Sequence, residues 1–250
     1  MATTEPMIYQ EIKAEGDLAL FVDCFWMLNN CGEKSMDLII VPDGRIDVTF
    51  FGEGINASLL HGLESCPGQT VLPPHQVIFA ISFNLLAAEF LFKPFVPLTP
   101  DAVQLLPADF WPQDINFSSL NSFYESSSRM LSGRTVPVND SRKTKLSELL
   151  YKSGGGVSVN ELASEVNWSS RQMNRYFQQH LGMPLKTYID ILRFRASFSH
   201  LKVGKLFPEQ RFTDQSHFIR DVKKFSGVVP KELVRNANDR FIQLSTLPKP

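Results

Sequence analysis

Two capping boxes, Ser158-x-x-Glu161 and Ser169-x-x-Gln172, start eleven residues apart, and this pairing constrains the chain more than any other feature. In each box the serine hydroxyl accepts an N–H of the first helical turn, and the Glu or Gln side chain reaches back to the serine N–H. Two helices therefore begin at 158 and 169, with room between them only for a tight turn. Val159, Leu162, Ala163 and Val166 on the first helix, with Met173 and Phe177 on the second, supply facing apolar surfaces. Asn167 stands at the turn, where a left-handed residue is needed, and Asn tolerates that conformation best after Gly. The pattern is that of a helix-turn-helix unit.

In such a unit the start of the second helix meets base edges in the major groove. Ser170, Arg171, Asn174 and Arg175 fall on its outward face. Arg suits bidentate contact with guanine and Asn with adenine, each good pair discriminating by about 1–3 kcal/mol.

A second stretch, "FTDQSHFIRDVKKFSGVVPKEL" at 212–233, repeats the theme. Thr213 is placed to cap a helix with Phe218, Val222 and Phe225 on one stripe. Gln215, Ser216, Arg220, Lys223 and Lys224 point away from it. Between the two units, 184–202 reads as one helix with Pro184 in its first turn and Leu185, Tyr188, Ile189, Leu192 and Ala196 at helical spacing. At about 1.5 Å per residue that spacer is roughly 28 Å long, near the roughly 34 Å between successive major grooves.

Charge separates this region from the rest. Residues 142–250 hold 19 Lys and Arg against 9 Asp and Glu, a net +10, and residues 1–141 hold 6 against 17, a net −11. A basic module of this kind suits a polyanion, because Lys and Arg supply most of the sequence-independent attraction to nucleic acid.

The order of the capped helix, "SSRQMNRYFQQHLGMPLKTYIDILRFRAS" and "FTDQSHFIRDVKKFSGVVPKEL" resembles the DNA-binding domain of AraC/XylS-type transcriptional regulators, over 141–234. Phe212, Asp214, Gln215, Ser216, Phe218, Arg220, Lys223, Phe225, Gly227, Pro230 and Leu233 match that family's second-unit signature. The resemblance implies base-reading positions at Arg171, Asn174 and Arg175, and at Gln215, Ser216 and Arg220; Lys223, basic and outward on the same stretch, is expected to act on all DNA sequences alike. It also implies a bacterial regulator with double-stranded DNA and RNA polymerase as partners, and a small-molecule effector sensed by the N-terminal domain. One departure is plain: "VGKLFPEQRF" is several residues short of the family's helix before the second recognition helix, contains Pro208, and has Arg211 where Gly is usual. A second unit displaced from the family's geometry, or weaker on DNA, is the corresponding expectation.

The first hundred residues read as short β segments. Residues 38–41 and 45–51 flank Pro42-Asp43-Gly44 and predict a hairpin, and Val77–Phe83 is another apolar strand. Glycines at 52, 54, 62 and 68 and Pro73-Pro74 favour a small β barrel or sandwich over a helical bundle. "VPDGRIDVTFF" and "FAISFNLLAAEF" are similar to sensor domains of some AraC-type regulators, and Arg45, Asp47, His61 and His75 are candidates for a ligand pocket or for ordinary surface roles. Residues 118–131 predict an amphipathic helix whose stripe docks on the β domain or on a second copy of the chain, so a homodimer is one expectation. The fold class is therefore α+β: a β-rich domain at 1–131, a linker at 132–140, and an all-α domain at 141–250 with two helix-turn-helix units joined by a linker helix.

Other chemistry is not signalled. The five histidines show no HxH or HExxH spacing, Cys24, Cys31 and Cys66 form no CxxC, and GxSxG, Walker A and GxGxxG motifs are lacking. No catalytic residue, metal or cofactor is expected. The most apolar run, 77–92, contains Ser82, Asn84 and Glu89 and falls short of the roughly 20 residues that span a bilayer. The N-terminus has no basic, apolar leader, so a cytoplasmic location is expected. Two readings compete with a DNA-binding regulator: an interaction adaptor working through the acidic N-terminal domain, and an enzyme with its site inside the β domain.

Overall fold

The structure is a computed structural model that describes residues 7–51, 58–92, 96–107, 109–111, 115–134, 136–206, 212–236 and 239–247. Its contacts divide the chain into two compact units. One comprises 1–36, 45–62 and 71–139, and the other 37–44, 63–70 and 140–250. Among the described residues no helix is long and apolar enough to cross a membrane.

The first unit is built on an antiparallel six-stranded sheet. Its strands are β1 (Met7–Lys13), β2 (Val22–Asn30), β4 (Ile46–Phe51), β5 (Ser58–His61), β7 (Val77–Phe83) and β8 (Val103–Leu105), ordered β1-β2-β7-β4-β5-β8. Register sets Phe25 beside Ile81, Ile81 beside Val48 and Val48 beside Leu60, and all four are buried. Helix α1 (Leu120–Ser132), capped by Ser119 on the Ser122 N–H, buries Leu120, Phe123, Ser127 and Leu131 and packs on β1 and β2. The Phe123 ring lies 5.2–6.1 Å from those of Phe25, Phe50, Phe79 and Phe117. The helix thus docks on its own sheet. That docking is also why the sheet need not curl: α1 hides the apolar face, and among the described residues β1 and β8 are unjoined edges. The architecture is an open sheet with a helix layer, where the sequence suggested a barrel or sandwich.

The second unit is helical: α2 (Ser141–Ser153), α3 (Val159–Val166), α4 (Ser170–Leu181), α5 (Leu185–Ala196), α6 (Phe198–Lys202), α7 (Gln215–Ser226), α8 (Pro230–Arg235) and α9 (Ile242–Ser245). Leu162, Val166, Met173, Phe177, Tyr188, Leu192, Phe194, Phe218, Val222 and Phe225 form its core. The spacer expected as one helix over 184–202 is two. At Ser197 the N–H bonds to the Phe194 carbonyl at 3.0 Å, and the hydroxyl donates to the same oxygen at 2.6 Å. This tight turn ends α5, which at about 1.5 Å per residue is roughly 18 Å long.

The hairpin expected across Pro42-Asp43-Gly44 does not form. The strand before it, β3 (Met36–Ile40), pairs instead with β6 (Gly68–Leu72), while β4 pairs with β5 and β7. Segments 37–44 and 63–70 make an arm that belongs to the helical unit. Buried Tyr188 donates to the Gly44 carbonyl at 2.9 Å, and its hydroxyl also lies 2.8 Å from that of Tyr151. Gln243 makes reciprocal bonds with the Val41 N–H and carbonyl at 3.0 and 2.9 Å, and the Ile39 N–H bonds to the Arg240 carbonyl at 2.6 Å. Gly44 has φ +80, and a Cβ there would lie 3.0 Å from Leu192. Glycine serves the turn by its left-handed freedom and by letting the arm lie close on α5.

Candidate nucleic-acid interface

Both capping boxes are complete. The Glu161 N–H donates to Ser158 Oγ at 3.2 Å and Glu161 Oε2 accepts from the Ser158 N–H at 2.7 Å. At the next helix the Gln172 N–H donates to Ser169 Oγ at 3.2 Å and Gln172 Oε1 accepts from the Ser169 N–H at 2.9 Å. Asn167 between them takes φ 55 and ψ 40, the left-handed conformation its position requires.

Helix α4 is two-faced. Met173, Tyr176, Phe177, His180 and Leu181 are buried, whereas Ser170, Arg171, Asn174 and Arg175 are exposed. At about 100° per residue those four side chains share roughly 140° of arc. Neither Arg171 nor Arg175 has a hydrogen bond or ion pair among the described residues. Asn174 is different: its Oδ1 accepts the Leu185 N–H at 3.2 Å. Pro184, the residue before α5, provides no side-chain cap, and Asn174 does that work from the neighbouring helix. Reading adenine takes both the oxygen and the nitrogen of an amide, so the bond to Leu185 leaves Asn174 its Nδ2 and the second lone pair of Oδ1 and fixes the direction in which the amide can face a base.

Aromatic and basic groups line the entrance to α4. Trp168 packs on Tyr176 at 5.5 Å, the Arg142 guanidinium lies 5.1 Å from the Trp168 ring, and the Lys143 ammonium lies 5.6 Å from Tyr176. Arg142 is also bound by both oxygens of Asp140, at 2.9 and 2.8 Å. That hydrogen bond holds the Asp140 carboxyl below its usual range.

Helix α7 has the same division. Phe218, Val222, Phe225 and Ser226 are buried, and Gln215, Ser216, Arg220 and Lys223 are exposed. Its cap is Asp214, whose Oδ1 accepts the His217 N–H at 2.8 Å, and not Thr213 as the sequence suggested. Asp and Thr are both good caps, and Phe212 packs on Phe218 at 4.9 Å beside the helix start. The residues that mark the departure from the family pattern, Pro208 and Arg211, lie outside the described residues.

Residues 162–236, from α3 to the end of α8, match the family model of a helix-turn-helix domain. The C-terminal unit carries an AraC-type helix-turn-helix domain. Such a domain binds DNA. No curated protein matches the chain. Among solved structures, apo ToxT from Vibrio cholerae strain SCE256 is 10% identical, with 92% of this chain and 97% of that chain covered and a TM-score of 0.43. ToxT from Vibrio cholerae O395 bound to (E)-4-(8-methylnaphthalen-1-yl)but-3-enoic acid is 14% identical, with 91% and 97% covered and a TM-score of 0.42. At these TM-scores the likeness carries no functional argument.

In the sheet unit, register lines Cys24, Ser82, Asp47 and His61 across β2, β7, β4 and β5, on the face away from α1. Trp26 Nε1 donates to Ser82 Oγ at 2.9 Å, Ser82 donates to Asp47, and Thr49 Oγ1 lies 2.8 Å from His61 Nε2. Burial lowers the His61 pKa and pushes the Cys24 thiol up to about 12. Arg45 pairs with Asp23 at 3.0 Å, and exposed His75 pairs with Glu33 at 3.2 Å. Of the four candidate pocket residues, Asp47 and His61 are therefore cross-strand partners, while His75 is engaged elsewhere.

Proposed function

We propose that the chain is a bacterial, cytoplasmic, sequence-specific transcriptional regulator that reads DNA with α4 and α7. The observation that carries this reading is the two-faced α4. Its start is fixed by a complete capping box and its inner face is locked in the core, while Ser170, Arg171 and Arg175 remain exposed beside it. Gln215, Ser216 and Arg220 would contact bases from α7, and Lys223 would contact phosphate. The sheet unit would hold a small-molecule effector, homodimerisation is compatible with this arrangement, and RNA polymerase is the downstream partner. The test is selection from random duplex DNA at physiological salt. Arg175→Ala or Gln215→Ala should then weaken the selected site by about 1–3 kcal/mol, and Lys223→Ala should weaken all sequences alike and reduce the salt slope by about 1. Failure to select any preferred site refutes base reading.

A further inference from the structure

Arg193 of α5 places its guanidinium between the turn that leads into the first helix-turn-helix unit and α7 of the second. It is only 9% exposed. Its Nε donates to the Gly155 carbonyl, in the turn between α2 and α3, at 3.1 Å, and its Nη1 donates to Asp190 Oδ1 of α5 at 2.9 Å. The same Nη1 lies 4.0 Å from Asp221 Oδ2 of α7, and the guanidinium sits 5.9 Å from the Phe212 ring. Asp221 pairs in turn with His217 at 3.2 Å, and Phe212 packs on both His217 and Phe218.

Backbone geometry tightens this junction. Gly155 has φ +73, and a Cβ there would meet the Ile189 carbonyl oxygen at 2.3 Å and the Arg193 nitrogen at 2.5 Å. The turn leading into the first helix-turn-helix unit is thus pressed directly against α5. A buried guanidinium is tolerated only where its donors are met, and its planar fork fixes the directions of those partners.

The geometry points to Arg193 as a positioning residue: through Gly155 and Asp221 it sets the orientation of α7 relative to α4, and hence the spacing of the two half-sites the regulator accepts. It contacts no base itself. This inference rests on the two-helix reading of the proposed function. Lysine at 193 would place a single point charge where the fork now hydrogen-bonds Gly155 and Asp190 and faces the Asp221 carboxylate at 4.0 Å. Such a variant should keep the charge but lose the angular restraint.

The experiment uses the full chain on the selected duplex, on the same duplex with one base pair inserted or deleted between half-sites, and on a duplex with the second half-site scrambled. One base pair turns the second half-site by roughly 34–36° about the axis. The wild-type chain is expected to lose affinity about tenfold on that change, equivalent to about 1.4 kcal/mol. Arg193→Lys should bind the scrambled duplex like wild type and lose no more than about threefold on the insertion, about 0.65 kcal/mol. Asp221→Asn, which removes the α7 charge facing Arg193 and His217 while leaving Arg193 in place, should fall between the two and guards against a misfolded Arg193 variant. Variants that keep the full spacing penalty, or that weaken all duplexes in equal proportion, overturn the inference alone. A wild-type chain indifferent to spacing and to the second half-site overturns the two-helix reading and the inference with it.

Discussion

Replacing Asn174 with alanine separates a residue that reads DNA from one that holds the domain together. The Leu185 N–H opens α5, follows a proline that brings no cap, and belongs to a residue only 1% exposed. Without Asn174 Oδ1 at 3.2 Å, that donor faces a partly dry helix junction. Loss of a helix N-cap costs about 1 kcal/mol and a buried unmet donor about 1–3 kcal/mol, so a loss of about 1–2 kcal/mol is expected. For a unit of this size that is roughly 4–8 °C in Tm, read by thermal unfolding followed by far-UV circular dichroism. Asn174→Asp keeps an oxygen for the Leu185 N–H and removes the amide donor, so it should stay within about 0.5 kcal/mol of wild type. On DNA, the alanine variant should change base preference at a single position by no more than about 1 kcal/mol, below the full bidentate range, because the bond to Leu185 restricts how the amide can turn toward a base. An alanine variant that unfolds at the wild-type temperature yet loses more than that at one adenine would refute the capping role and put the whole amide in the groove.

Three further outcomes are expected. Phe123→Ala removes the ring on which Phe25, Phe50 and Phe79 converge and should cost about 3–5 kcal/mol, read as a lower denaturant midpoint for the sheet unit; a loss under about 1 kcal/mol would mean α1 does not seal that face. A chain cut to 141–250 lacks the arm that meets Tyr188, Gln243 and Arg240, and should unfold at a lower temperature and bind more apolar dye than the helical unit of the full chain; equal midpoints would show the arm contributes no stability. Glu161 is held below its ordinary value of 4.5 chiefly by the Ser158 N–H, so its contribution is complete above that value and is lost as pH falls through the lowered one. Glu161→Gln should flatten this acid limb of a stability–pH profile, and an unchanged limb would remove the capping box from the account.

What was legible in the sequence shares one physical property: its partners lie within about one helical turn. Ser158 with Glu161, Ser169 with Gln172 and left-handed Asn167 are all such cases. The inward stripes of α1, α4 and α7 follow from the same short period, and so do the outward positions of Arg171, Arg175, Gln215 and Arg220. Even there the cap of α7 is Asp214 and not Thr213, since local sequence offers two nearly equivalent caps and does not choose between them.

The remainder depended on contacts that local sequence does not encode. The hairpin signal at Pro42-Asp43-Gly44 was sound as turn chemistry, but Tyr188, 144 residues away, takes the Gly44 carbonyl, and β3 joins a different strand. The second role of Asn174, accepting the Leu185 N–H, was not legible because nothing near it in the chain reveals that α5 lacks a cap of its own. Arg193 carried no signal at all, since a charged residue at an inward helix position has meaning only once Gly155, Asp190 and Asp221 surround it. By itself the sequence determined where helices begin and which faces they bury, through hydrogen bonds and spacings confined to a few residues. Which strand pairs with which, and how α5 packs between the α2–α3 turn and α7, was decided only when groups distant along the chain met in a dry interior and had to satisfy one another.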